Sequence, residues 1–325
     1  MTENTVPAVS ISSDGRDDPP EVFAGKFNAG ESGGAEQIWV ANHLFQRDPV
    51  ARAAQALGAT RSLRAALMAV NPFTSHPAQI AMSAATLDEL FPGRITLCLA
   101  SGSPVDLQST GIPFDKPLKP MREALELTRA LLSGEKVRFE GETFRVLDRS
   151  LATGARRVPI YLAASRPRML EVAAAHADGI LVSAGASVEF VRWCRSHAQV
   201  GSGGRELRMS GLVYAAVDPD PELRRRLRRL LGMLLRNHHH STNIELAGTP
   251  VDQQALRDAV ARADWASVES QITDEVLRKH VIVGSAPEVR ARLAEYHAAG
   301  LSEVVFAATR DAAHIAALLA AAKGV

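Results

Sequence analysis

His43 stands in the stretch IWVANHLF, directly after an apolar run, where an imidazole can transfer a proton or hydrogen-bond a ring. A satisfied structural histidine would give the same pattern. A second centre of chemistry is YLAASRPR. Ser165 can cap a following helix, Pro167 suits its first position, and Arg166 and Arg168 add positive charge. A helix start with free N–H groups beside arginines is a ready phosphate site, although a capped helix with solvated arginines accounts for the same residues. His76 precedes Pro77 and reads as a turn residue at a helix start. The run His238–His240 invites a metal, but consecutive histidines on a helix point in different directions. No cysteine or paired carboxylate lies nearby at ligand spacing and HExxH is absent, so no metal site is expected. The chain also carries no GxSxG elbow, no GxxxxGK[ST] loop and no plausible Cys–His pair.

The elements that must position these residues alternate between strand-like and helical runs. Strands are expected at Ala8–Ser12, Gln37–Ala41, Ser62–Val70, Ile95–Leu99, Pro159–Ala163, Gly179–Ser183, Arg208–Val217 and Ser302–Ala307. Helical patterns fall at Val50–Gly58, Pro77–Leu90, Met121–Leu132, Pro167–His176, Val188–Gln199, Pro221–His238 and Asp311–Lys323. Eight such strands over this length predict an α/β fold, a (β/α)₈ TIM barrel with insertions forming a single domain over residues 1–325. A doubly wound sheet would place a glycine-rich phosphate turn after its first strand, and SSDGRDDPPEVFAG is not one. The segment at 136–146 alternates about Glu140-Gly141 as a hairpin insertion would, and 238–277 reads as a helical insertion. Arginines within 224–229 share a helix with Leu223, Leu227, Leu230 and Leu231 and read as a solvated face.

A net charge of +1 offers no nucleic-acid partner, and 46% apolar with 22% charged residues fits a globular enzyme. Cys98 and Cys194 are too few for a disulfide framework and read as reduced buried thiols, which suits a cytoplasmic protein. Neither a secretory leader nor an apolar stretch of membrane-spanning length is seen, so no membrane partner is expected. In a barrel the chemistry sits at the carboxyl ends of the strands. Those ends read ANHL, AVNP, LASGSP, AASRPR, VSAG and AATR, and four of the six are built of Ala, Ser or Gly. Together they leave an open mouth suited to a broad, flat ligand.

These strand ends, with IWVANHLFQRDP, TLDELFPGRITLCLASGSP, LLSGEKVRFEGETFRV, PIYLAASRPRMLEVAAAHADGIL and IVGSAPEVRARLAEYHAAGLSEVVF, resemble the bacterial luciferase-like superfamily of flavin- and deazaflavin-dependent oxidoreductases. Within it the likeness is to the methylenetetrahydromethanopterin reductase-like branch, and it spans most of Ile38–Phe306. The resemblance implies an isoalloxazine or deazaflavin ring over the small residues, with Ser101, Gly102 and Ser103 beneath it and Asn71 at the neighbouring strand end. It implies that Ala164, Ser165, Arg166 and Arg168 hold the phosphate of the cofactor tail, and that His43 is the catalytic residue. Asn42 stands where deazaflavin users often carry an acid and would hydrogen-bond the ring without charge. A non-prolyl cis peptide behind the ring is implied near Met68-Ala69 or Ala69-Val70.

Ser103 departs from this pattern, since several deazaflavin enzymes carry a proton-donating Glu there. The implied function is hydride transfer between coenzyme F-420 and a small organic substrate. One alternative is an FMN-dependent monooxygenase that uses oxygen and a partner flavin reductase; another is a non-catalytic flavin-binding barrel. Phe45, Phe73, Trp193 and Tyr214 are candidates for an apolar substrate pocket, and a polar, glycine-rich extension from Ser12 to Gln37 is a candidate covering loop. Alanine-rich Val50–Gly58 and Pro77–Leu90 suit close packing in a homodimer, which the family commonly forms beside its second and third strands.

Overall fold

The computed structural model describes residues 7–14, 18–113, 115–205 and 207–323. Its strands are β1 (Ala8–Ser13), β2 (Gln37–Ala41), β3 (Arg64–Val70), β4 (Ile95–Leu99), β5 (Val137–Glu140), β6 (Arg145–Arg149), β7 (Ile160–Ala163), β8 (Gly179–Val182), β9 (Arg208–Val217), β10 (Val281–Gly284) and β11 (Glu303–Ala307). Eight of them, β1, β2, β3, β4, β7, β8, β9 and β11, run parallel in that order, and β11 pairs back to β1 to close a barrel. Strands covered by helices outside and by side chains inside are buried on both faces, so they read as unbroken apolar runs rather than alternating ones. β10 adds a ninth, parallel strand along the carboxyl half of β9, from Val281 opposite Tyr214 to Gly284 opposite Val217.

The barrel interior is filled by Trp39, Ala66, Cys98, Tyr161, Leu181 and Val305. Below them sits a buried carboxylate. Glu303 accepts hydrogen bonds from Gln37 Nε2 and Trp39 Nε1, each at 2.9 Å, and from Ser210 Oγ at 2.5 Å. A polar group so enclosed is tolerated because donors surround it.

Two regions differ from expectation. The extension after β1 is not a loop: Pro20–Gly33 is a helix of 14 residues. Its glycines obscure the helical pattern, yet they are where neighbouring side chains come closest. A Cβ on Gly30 would lie 2.6 Å from Ile11 Cδ1, and one on Gly33 would lie 2.3 Å from Leu319 Cδ1. The arginines of helix Pro221–Leu235 are also not a simple solvated face. Arg228 and Arg224 pair with Asp274, Arg229 pairs with Glu269, and Arg226 donates to the Ala308 carbonyl. The ion pairs fasten helices Trp265–Gln271 and Asp274–His280, and these together with Ser241–Ala247 and Gln253–Ala261 share with that helix a small core that includes Leu227, Leu231, Ile244, Leu256, Val268 and Ile272. β5 and β6 form an antiparallel hairpin. Buried Glu123 pins it by accepting the backbone N–H groups of Glu142, Thr143 and Phe144; those bonds outweigh its burial and lower its pKa.

Candidate active site

The carboxyl mouth has an apolar floor. Met68, Ala69, Ala163 and Leu212 lie half-buried on top of the filled interior. The Met68-Ala69 peptide is cis, and the pairing of β3 with β4 shifts register between Leu67 and Val70, so the end of β3 bulges. Asn42 holds that bulge from the next strand. Its backbone N–H donates to Met68 O at 2.5 Å and its side-chain amide donates to Ala69 O at 3.2 Å. The residue expected to meet a ring therefore spends donors on positioning β3. His43 follows it and is exposed at the rim.

The wall beyond β4 is small for reasons that differ from residue to residue. Gly102 has φ +83°, a conformation that favours glycine, and a Cβ on it would fall 2.0 Å from Asn71 Nδ2. Asn71 is itself buried, and its Oδ1 accepts the Phe73 N–H at 2.8 Å to form the turn that leaves β3. Asn71 thus shapes the wall from behind. Ser101 is half-buried beside Gly102. Ser103 is exposed and caps the short helix Pro104–Ser109, its hydroxyl accepting the Asp106 N–H at 3.4 Å.

At the end of β7 the expected cap is displaced by one residue. Ser165 does not cap the following helix; its hydroxyl donates to Ser183 Oγ at the neighbouring end of β8, at 2.9 Å. Arg166 occupies the cap position of Pro167–His176 without a side-chain cap bond, and Pro167 begins the helix. Ala164 is buried and donates its N–H to Leu181 O. Arg166 and Arg168 are both exposed, and their guanidiniums make no hydrogen bond or ion pair among the described residues. An uncapped helix start with two unpaired guanidiniums is a positively charged shelf.

A third contributor lay hidden in the histidine run. His238–His240 forms a 3-10 turn, and the His239 ring lies 4.2 Å from that of His240, tilted at 42°. His239 has its pKa lowered, first by burial and then by the nearby Arg166 and His238. The run therefore reaches the same rim as Arg166, although 72 residues separate Arg166 from His238 in sequence. Consecutive histidines were legible as a cluster; nothing local marked where the chain folds back. Among the described residues no group of His, Cys, Asp and Glu is arranged to hold a metal.

The loop after β8 is the anchor for this approach. Asn243 Nδ2 and His280 Nδ1 both donate to the Gly185 carbonyl, at 2.9 and 2.8 Å, and Asn243 Oδ1 accepts the Ser187 N–H. With Nδ1 donating, His280 Nε2 accepts from Thr249 Oγ1 at 3.1 Å. Burial lowers the pKa of His280 to about 4 and that of His240 to about 3. The four candidate aromatics separate. Phe45 is 81% exposed beside His43, and Phe73 follows the Asn71 turn. Tyr214 is half-buried near Asp14, and burial raises its pKa to about 12. Trp193 instead stacks on Phe190 within the outer helix layer, at 5.3 Å, and does not belong with the others.

Fold and site thus describe a parallel (β/α)₈ barrel whose carboxyl mouth joins a flat apolar floor to a cationic shelf. The chain belongs to the luciferase-like monooxygenase family, whose model matches residues 12–303. A 5,10-methylenetetrahydromethanopterin reductase from Archaeoglobus fulgidus is 29% identical over 285 residues, covering 85% of this chain and 86% of the relative. An F-420-dependent glucose-6-phosphate dehydrogenase from Nocardia farcinica is 26% identical over 249 residues, 72% of this chain and 69% of the relative. Among solved structures, the coenzyme F-420-dependent tetrahydromethanopterin reductase of Methanopyrus kandleri superposes with a TM-score of 0.86 at 20% identity, covering 98% of both chains.

Proposed function

We propose that this protein is an oxidoreductase that uses coenzyme F-420 to pass a hydride to or from a small organic substrate. The observation that carries this reading is the union, at one mouth, of a flat floor with an unpaired cationic shelf. The names of the relatives support the deazaflavin, and the family's description as monooxygenases supports FMN as the second reading, with a partner flavin reductase.

The residues present fit such a cofactor. Met68, Ala69, Ser101 and Gly102 would lie against the ring and exclude water from it. Arg166 and Arg168, with the helix start and His239 beside them, would hold the phosphate of the tail. When bound, a deazaflavin supplies the hydride donor or acceptor; the protein supplies position and surroundings. Asn42 keeps the end of β3 in place, and His43 would hold or pass a proton at the rim. Ser103, spent as a helix cap, brings no carboxylic proton. Removing Arg166 (Arg166→Ala) is expected to weaken F-420 binding about tenfold, as loss of a charge-assisted contact does. His43→Ala should keep binding and lose hydride transfer. Tight F-420 binding that ignores the Arg166 change would contradict the shelf assignment.

Among the described residues no helix is long and apolar enough to cross a membrane. We place the protein in the cytoplasm, where the two free, buried cysteines stay reduced. We also propose a homodimer through the face of Pro77–Leu90, where Met82 is 47% and Leu90 62% exposed. Sedimentation at micromolar concentration should give twice the 34.8 kDa chain mass, and a monomer would overturn this.

A further inference from the structure

A cavity of about 520 Å³ opens at the other end of the barrel, bounded by the starts of β2, β3, β4, β7, β8 and β9. This lies within the size range of small-molecule sites. Five guanidiniums line it, those of Arg64, Arg129, Arg156, Arg157 and Arg208, against two carboxylates, Glu36 and Asp178.

Both carboxylates are already committed. Glu36 pairs with Arg64 at 3.4 Å and with Arg208 at 2.9 Å. Asp178 pairs with Arg129 at 3.0 Å and also accepts the Ile160 N–H at 2.8 Å. Arg156 turns to Glu89 at 2.9 Å. Positive charge is left over. Arg157 is exposed and has no hydrogen bond or ion pair among the described residues, while the Nε atoms of Arg64 and Arg156 are buried without an acceptor. Buried donors without acceptors are destabilising, and five like charges around one cavity repel. A structural ion-pair network would close its own charges; this one does not.

We propose that this amino-terminal cavity binds a small ligand bearing at least two oxyanion charges, a phosphate ester or a polycarboxylate. Planar guanidiniums at several bearings suit bidentate contacts to such groups. The inner wall is firm, because Arg64 and Gln37 both bond the Thr96 hydroxyl, and Gln37 in turn bonds Glu303 in the barrel interior.

The test is calorimetric titration of the full chain with inorganic pyrophosphate and, separately, with citrate, ionic strength being held constant with sodium chloride. Saturable binding of at least one probe is expected; pyrophosphate alone would point to a phosphate ester and citrate alone to a polycarboxylate. Arg157→Ala, which removes an exposed and unpartnered side chain, should weaken binding about tenfold, and Arg208→Gln should weaken it as well. In Arg166→Ala, which removes the phosphate shelf at the opposite end of the barrel, saturable binding at this cavity should persist. No saturable binding of either probe, binding that survives both the Arg157 and Arg208 changes, or binding lost with Arg166→Ala would each overturn the proposal.

Discussion

Gly102 is the residue whose conformation and surroundings are most tightly constrained at the mouth. Its positive φ and its contact with Asn71 both exclude a side chain. Gly102→Ala is expected to destabilise the fold by about 2 kcal/mol, as strained non-glycine residues do, and to loosen the Asn71 turn. Chemical denaturation measures the first effect and F-420 affinity the second; an unchanged midpoint and affinity would refute the role. The small residues of LASGSP were legible as a group, and a flat ligand explained them all at once. The structure gives them separate tasks: Gly102 clears Asn71, and Ser103 caps a helix. Those tasks were hidden because the partner of Gly102 lies on a different strand end. Ser165 shows the same limit, since a cap and a bond to Ser183 on the neighbouring strand end ask for the same hydroxyl.

At the scale of elements, the helices that carry the histidine run depend on neutral imidazoles. His280 and His240 are buried with pKa values lowered from 6.5 to about 4 and about 3, chiefly by burial. The unfolded chain therefore binds more protons than the folded one below about pH 6.5, and stability falls as pH drops from there toward 4. Hydrogen exchange should show the region from His238 to His280 opening first on acidification, and His280→Gln should reduce that sensitivity. Uniform acid loss across the barrel would contradict the anchor. The eight barrel strands were legible because burial on both faces leaves continuous apolar runs. Pro20–Gly33 was not, since glycines chosen for close packing lower helical propensity. β10 was missed because four residues between two helices carry too short a pattern.

For the whole molecule, the two ends of the barrel hold different chemistry, divided by a filled interior centred on Trp39 and the Glu303 network. The family and the barrel were legible from strand-end motifs spread along the chain; the nearness of His239 to Arg166 was not, because it depends on how distant helices return to the mouth. The central claim is the deazaflavin. Parallel equilibrium titrations with coenzyme F-420 and with FMN, followed by fluorescence quenching, test it most directly. Saturable binding of F-420 with far weaker binding of FMN is the predicted result. Tight FMN binding with none of F-420 would contradict the claim and identify an oxygen-using flavin enzyme, and binding of neither would leave the mouth as packing alone.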